Sequence, residues 1–312
     1  MKSLLRFFSH IPNLLAVAII VLYALVAIAA PQLAPPQDPG HPDPFKEATV
    51  DTATSRHIPL PPQPGLPLGT TPGRLDVFYT LVWGTRSALR FGLTVALTTA
   101  CVGISIGAIS AYIGGPVNRF TLRITDAFLT FPVIAGAAMF RLVLYPVDQQ
   151  VSITPLQSLL TSLKIEPVML TLILFSWMPY VRIVNAEIAK LKQVAYVQAA
   201  RSIGAGHLRL ILRHLLPNAI APAIVLVGRD IGSMVILQAA FTFIGIGEGS
   251  PWGYLLAVGR DWIIGPSASL VQYWWVYLPV TLALVFFGIG WNLLADGLNS
   301  ALNPHKPHQR LW

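Results

Sequence analysis

Tyr196 to Asn218 reads YVQAARSIGAGHLRLILRHLLPN, and the reading of this stretch decides what kind of protein the chain is. Long apolar runs surround it, whereas it carries Arg201, Arg209, Arg213 and two histidines around a Gly204-Ala205-Gly206 break. Val197, Ala200 and Ile203 recur at helical spacing before the break. After it, Leu208, Ile211, Leu212 and Leu215 follow i, i+3, i+4, i+7, with Arg209 and Arg213 four apart on another side. The pattern predicts a short helix, a glycine elbow and a second amphipathic helix reaching Pro217. Such a piece is too charged to insert in a bilayer and too regular to be a loose connection. It fits a helix lying on an anionic leaflet or a shaped knob offered to a protein, and physics leaves these two even. Nucleic acid falls far behind, because no aromatic stacking platform accompanies the basic residues.

The surroundings are those of a membrane protein. Of 312 residues, 54% are hydrophobic and only 11% charged, against about 25% charged in soluble domains. A spanning helix needs about 20 mostly apolar residues. Six segments qualify: 14–30, 88–113, 126–144, 168–184, 219–247 and 275–294, the third interrupted near its end by Arg141. The first exceeds a secretory h-region in length and reads as an uncleaved anchor. With the N-terminus cytoplasmic, the short inner segments collect most of the basic residues, including Lys190, Lys192, Arg201, Arg209 and Arg213, and the outer loops most of the acids. A plasma (inner) membrane protein with both termini inside is therefore expected. The net charge of +8 is then a topological signal.

The chain divides into a tail and first anchor (1–30), a proline-rich outer loop (31–87), a core of five spans (88–294, with the basic loop at about 187–218) and a C-terminal tail (295–312). Twelve of the 26 prolines fall between Pro31 and Pro72, which predicts extended or irregular backbone. Tyr273, Trp274, Trp275 and Tyr277 fit an interfacial aromatic belt. Gly114-Gly115-Pro116 reads as a turn opening a short inner loop. Cys101 reads as a small packing residue.

Chemistry of its own is not expected. No lysine follows a glycine, so a P-loop cannot occur, and no HExxH is present. His207 and His214 are seven apart, which is not zinc-pair spacing, and His305 and His308 lie in a tail without a scaffold. Gly103-Ile104-Ser105-Ile106-Gly107 matches a nucleophile elbow on paper, but it sits mid-span, where small residues serve close helix packing. Nucleotide energy, if used, must come from a partner. Arg229 and Asp230 lie about 15 Å into the fifth span at ~1.5 Å per residue, where charges are costly. They are expected to face a translocation path or to form an interhelical ion pair, Asp230 with Arg141. Ser233 and Gln238 are candidate polar wall residues on the same helix.

The opening stretch resembles the EAA loop of ABC importer permeases: EAA, three residues, Gly, nine residues, then I-x-L-P. The match is Gln198-Ala199-Ala200, Gly204 and His214-Leu215-Leu216-Pro217, with Gln for Glu and His for Ile. LGTTPGRLDVFYTLVWGTRSAL (Leu68–Leu89), IGGPVNRFTLRITDAFLTFP (Ile113–Pro132), FTFIGIG (Phe241–Gly247) and NLLADGLNSALNP (Asn292–Pro304) are similar, in this order, to the C-type permease of the dipeptide/oligopeptide (peptide/nickel) branch. The GRDV element carries an inserted leucine, Leu75, and 141–166 matches nothing in that pattern.

The resemblance implies an all-α, six-span, type I importer permease fold. It also implies a second homologous permease, two cytoplasmic ABC ATPases that hydrolyse the ATP, and an extracytoplasmic solute-binding protein. No cofactor is expected on this chain. The loop would couple ATPase closure to gating, with Gly204 as elbow, Ala199 and Ala200 allowing close approach to the ATPase, and Leu208, Ile211, Leu212 and Leu215 packing toward the membrane core. Peptides are the implied cargo, with nickel chelates, sugars and glutathione-like compounds as alternatives. A membrane scaffold that docks proteins without transport is the alternative from another class.

Overall fold

The computed structural model describes residues 7–8, 10–38, 40, 43–48, 58–144, 155–163, 165–247, 249–264 and 271–302. Among them the chain is helical, with only isolated β-bridges such as Thr70 with Asp76. Five spans are long and apolar enough to cross a membrane: α1 (Ile11–Leu33), α2 (Val77–Ile113), α6 (Pro167–Phe175) continued by α7 (Met178–Leu191), α11 (Ala221–Phe243) and α13 (Trp274–Leu302). A bent pair, α3 (Gly115–Leu129) and α4 (Val133–Leu144), makes a sixth if counted as one span, and a short helix, α5 (Pro155–Ser162), follows it.

α2 organises the rest. Asp76 caps its N-terminus by accepting from the Tyr79 amide at 3.0 Å, eleven residues before the apolar window opens at Ala88. At about 55 Å, by ~1.5 Å per residue, it overreaches a hydrocarbon layer of about 30 Å. Gly103 and Gly107 lie against the backbone of Trp177 and Val181, so the small residues of this helix serve packing, as their mid-span position predicts. α11 lies between α2 and α13, meeting them at Gly92, Gly228, Gly232 and Gly288. α1 rests on α13, where the Tyr23 hydroxyl donates to the Ala283 carbonyl at 2.7 Å.

α2 and α7 run parallel, Gly103 meeting Trp177 and Gly107 meeting Val181, whereas α11 runs antiparallel to α13, Gly228 meeting Ala295 and Gly232 meeting Gly288, so the fold has two ends. One holds the foot of α2, the end of α7 and the basic loop. At the other, the described parts of the proline-rich segment are tied over the helix ends. Trp83 Nε1 donates to the Ala34 carbonyl at 2.9 Å, and Tyr79 to the Asp43 carbonyl at 2.9 Å.

Several expectations are corrected. Trp275 is buried and donates to the Thr70 carbonyl at 3.3 Å, so this member of the expected aromatic belt fastens the proline-rich segment instead. Cys101 is exposed on α2 and lies outside the core in which it was expected to pack. Gly114, at φ 75°, ends α2, and α3 starts at once where a short loop was expected. A further helix, α12 (Pro251–Ile264), lies over the same end as the proline-rich segment, its Trp252 donating to the Leu81 carbonyl at 3.0 Å. Arg260 and Asp261 and its 14-residue length kept it below any spanning signal. His305 and His308 lie outside the described residues.

A Cβ at Gly103 would sit 2.4 Å from the Trp177 carbonyl oxygen. Gly103→Val is therefore expected to lower stability by about 1–3 kcal/mol through overpacking. Thermal unfolding of the detergent-solubilised chain measures this, and an unchanged melting temperature would mean that α2 and α7 are not in contact there.

Candidate functional site

The basic loop has the predicted elbow. α8 (Ala195–Ser202) ends in a Schellman motif: the Ala205 amide donates to the Ala200 carbonyl and the Gly204 amide to the Arg201 carbonyl, each at 3.1 Å. Gly204 takes φ 83° with nothing near its missing Cβ. Backbone handedness, not space, requires glycine here.

Beyond the elbow the expected face is half right: Leu215 packs inward, but Leu208 and Leu212 turn outward. The chain enters α9 (His207–Arg209), then a π-helix over Leu210–Leu215, then α10 (Leu216–Ala219). A π turn closes at i+5, and the buried residues are five apart: Leu210 is 2% and Leu215 0% exposed, whereas Leu208 is 70% and Leu212 55% exposed. Ile211 is half-buried. Leu210 and Leu215 join Val197, Ala200, Tyr180, Val184 and Ile188 in one cluster. Ala200 is thus buried and not available for close approach from outside, while Gln198 and Ala199 are exposed. Gln198 donates to the Gln193 carbonyl at 3.3 Å. His214 and Leu216 are half-buried and Pro217 exposed, and the Asn218 side chain donates to the His214 carbonyl at 2.7 Å.

The loop is braced to the foot of α2. Lys192, just past α7, donates to the Ala111 and Tyr112 carbonyls at 3.0 and 2.9 Å, a cation on the negative end of a long helix. The Tyr112 hydroxyl meets His207 Nδ1 at 2.5 Å, beside the elbow. Between brace and elbow lies a cleft of about 900 Å³, lined by Tyr112, Lys192, Gln198, Arg201 and His207 over an apolar floor. Sequence reasoning counted Lys192 only as an inner charge. No local pattern shows that its partners lie some 80 residues earlier.

The membrane charges pair differently from the expectation. Asp230 accepts from the buried Tyr180 hydroxyl at 2.7 Å, in place of Arg141, which lies in the last turn of α4. Arg229 pairs with Asp296 of α13 at 2.7 Å, with both side chains about half exposed. Ser233, one turn on, is exposed and donates back to the Arg229 carbonyl. Gln238 is no wall residue: it is 1% exposed and donates to Glu166 at 3.0 Å. Burial raises the Glu166 carboxyl above the ordinary carboxylate range, while the Gln238 bond and the Arg90 charge act the other way.

Among the described residues no cluster of metal-ligating side chains occurs. Residues 103–306 match the binding-protein-dependent transport system inner membrane component family. The probable D,D-dipeptide transport system permease protein DdpC of Escherichia coli is 30% identical, over 92% of this chain and 85% of its own length. A putative peptide transport system permease protein of Brucella suis is 33% identical, over 91% and 86%. The nickel transport system permease protein NikC of Escherichia coli is 30% identical, over 93% of each chain.

Lys192→Met removes two charge-assisted bonds from the foot of α2 and is expected to cost about 1–2 kcal/mol. Lys192→Arg should retain most of this, since a guanidinium reaches the same carbonyls. Comparing the melting temperatures of the two variants checks the brace, and equal losses would count against it.

Proposed function

The chain belongs to the binding-protein-dependent transport system inner membrane component family, and from that premise we propose that it is one of two permease subunits of an ATP-driven peptide importer, gated through the 195–219 loop. The fold is that of the type I importer permeases, and the chain is a transport subunit of an inner membrane system. Peptides are chosen as cargo because two of the relatives above carry peptide or dipeptide transport in their names.

The observation that carries the coupling role is the shape of the loop. Its inner face is locked onto α2 and α7 through Leu210, Leu215 and Val197. Its outer face presents Ile203, 87% exposed, and Leu208 beside Arg201 and Arg209. Apolar side chains ringed by cations on a rigid elbow suit a protein groove better than a leaflet, since Ile203 and Leu208 flank the turn instead of forming one continuous stripe. The groove is assigned to a cytoplasmic ABC ATPase, which binds and hydrolyses the ATP. With that loop cytoplasmic, both termini are cytoplasmic, the tied segment before Val77 and α12 face outward, and an extracytoplasmic binding protein delivers the solute there.

The Arg229–Asp296 pair supports a passage on this face of α11 and α13. Half-exposed charges at membrane depth require water or another protein beside them. The second permease completes that wall, with Arg229, Ser233 and Asp296 toward it or toward the solute.

Co-expression with the partner permease, the ATPases and the binding protein tests the reading. Gly204→Asp and Leu208→Asp should each abolish ATP-driven uptake. They should also reduce ATPase co-purification roughly tenfold or more, about 1.4 kcal/mol per decade, while the two permeases still co-purify. Undiminished uptake and co-purification in both variants would sink the coupling role.

A further inference from the structure

Two spans are interrupted, and the interruptions meet. α3 and α4 diverge by 81° across Thr130–Pro132, and α6 gives way to α7 at Ser176–Trp177. The second break lies about 14 Å along its span, at ~1.5 Å per residue, within a hydrocarbon layer of about 30 Å. The Ser176 hydroxyl is 4.0 Å from the sulfur of Met234, near the middle of α11, which sets the same depth. Pro179 has no amide hydrogen, so the Phe175 carbonyl lacks its i+4 donor. Phe131 stacks on Phe175 at 4.8 Å, and Phe128 lies 5.7 Å from both Phe175 and Trp177. Phe128 and Phe131 are both more than a third exposed. Just beyond, Asp126 of α3 and Arg182 of α7 form an ion pair, each about half exposed.

Lipid cannot satisfy interrupted backbone or charges. Non-helical chain at this depth persists only where protein buries it or where it lines a watered cavity. The open rings and the half-exposed ion pair show that this chain does not bury the site by itself. Resting on the importer reading, we propose that the paired breaks form a solute-contact constriction in the passage, taking an amide-bearing solute with an apolar side group. The ring faces offer apolar and cation-accepting surface. The broken backbone offers hydrogen bonds to amides, and the Asp126–Arg182 pair offers both signs to a zwitterion.

The test is thiol accessibility in the assembled four-subunit transporter in proteoliposomes. Cys101→Ser removes the single native thiol, and Phe131→Cys then places one at the constriction. Only a hydrated thiol ionises to the reactive thiolate, so a sulfonated, membrane-impermeant maleimide should label it roughly tenfold faster than a Leu22→Cys control. Leu22 is exposed on the outside of α1. Binding protein loaded with alanyl-phenylalanine should slow that labelling.

Labelling only by a membrane-permeant maleimide would place the site against lipid and overturn the proposal. Labelling only after the partner permease is stripped away would make it a subunit interface, with the same consequence. Fast labelling with no protection by alanyl-phenylalanine or dialanine would overturn the solute assignment. Uptake by the Cys101→Ser transporter in the same vesicles reports separately on the importer reading.

Discussion

Three of the helices packed on α2 reach it where a side chain is missing, whereas α1 meets it through Val82 and Trp83. Trp252 of α12 lies over Gly84, Ile231 of α11 over Gly92, the α6–α7 junction over Gly103 and Val181 of α7 over Gly107. In lipid there is no hydrophobic gain from joining two apolar helices, so association depends on how closely backbones approach. Four glycines on one 37-residue helix set the positions of three neighbours, and through α11 that of α13. The loop inherits its place from this arrangement, because the cluster beneath it is built from α2 and α7.

Polar groups between the spans follow the same economy. Asn185, buried on α7, donates to Ser110 of α2 and Asn118 of α3, holding three elements at one point. Asp230 has Tyr180, and Gln238 has Glu166. Among described buried side chains only the Thr80 hydroxyl lacks a partner. The less enclosed charged pairs, Arg229–Asp296 and Asp126–Arg182, lie half exposed on the surface of the described helices. Interior polarity and surface polarity are thereby separated along the same helices.

The sequence makes some of this legible and hides the rest for physical reasons. Spans are visible because apolarity over 20 residues has one common cause. The Gly204 elbow is visible because a left-handed helix end nearly demands glycine. The face of 208–215 is not, since one change of hydrogen-bond register, from i+4 to i+5, turns Leu208 and Leu212 outward and Leu210 inward. Gln238 shares its helix with Ser233, and nothing local says which of the two meets Glu166. The breaks near Pro132 and Pro179 are marked by their prolines, but only the fold shows that they stand side by side.

Lys192 on the foot of α2 has a mechanical consequence. A helix of about 55 Å clamped at one end behaves as a beam, and a 5° rotation at its foot displaces its far tip by about 5 Å. That tip carries Tyr79 and Trp83, which hold the proline-rich segment through the Asp43 and Ala34 carbonyls. A small turn of the clamp would therefore arrive at the opposite membrane face as a stroke several times larger than a bond length, with no relay of side-chain rearrangements between.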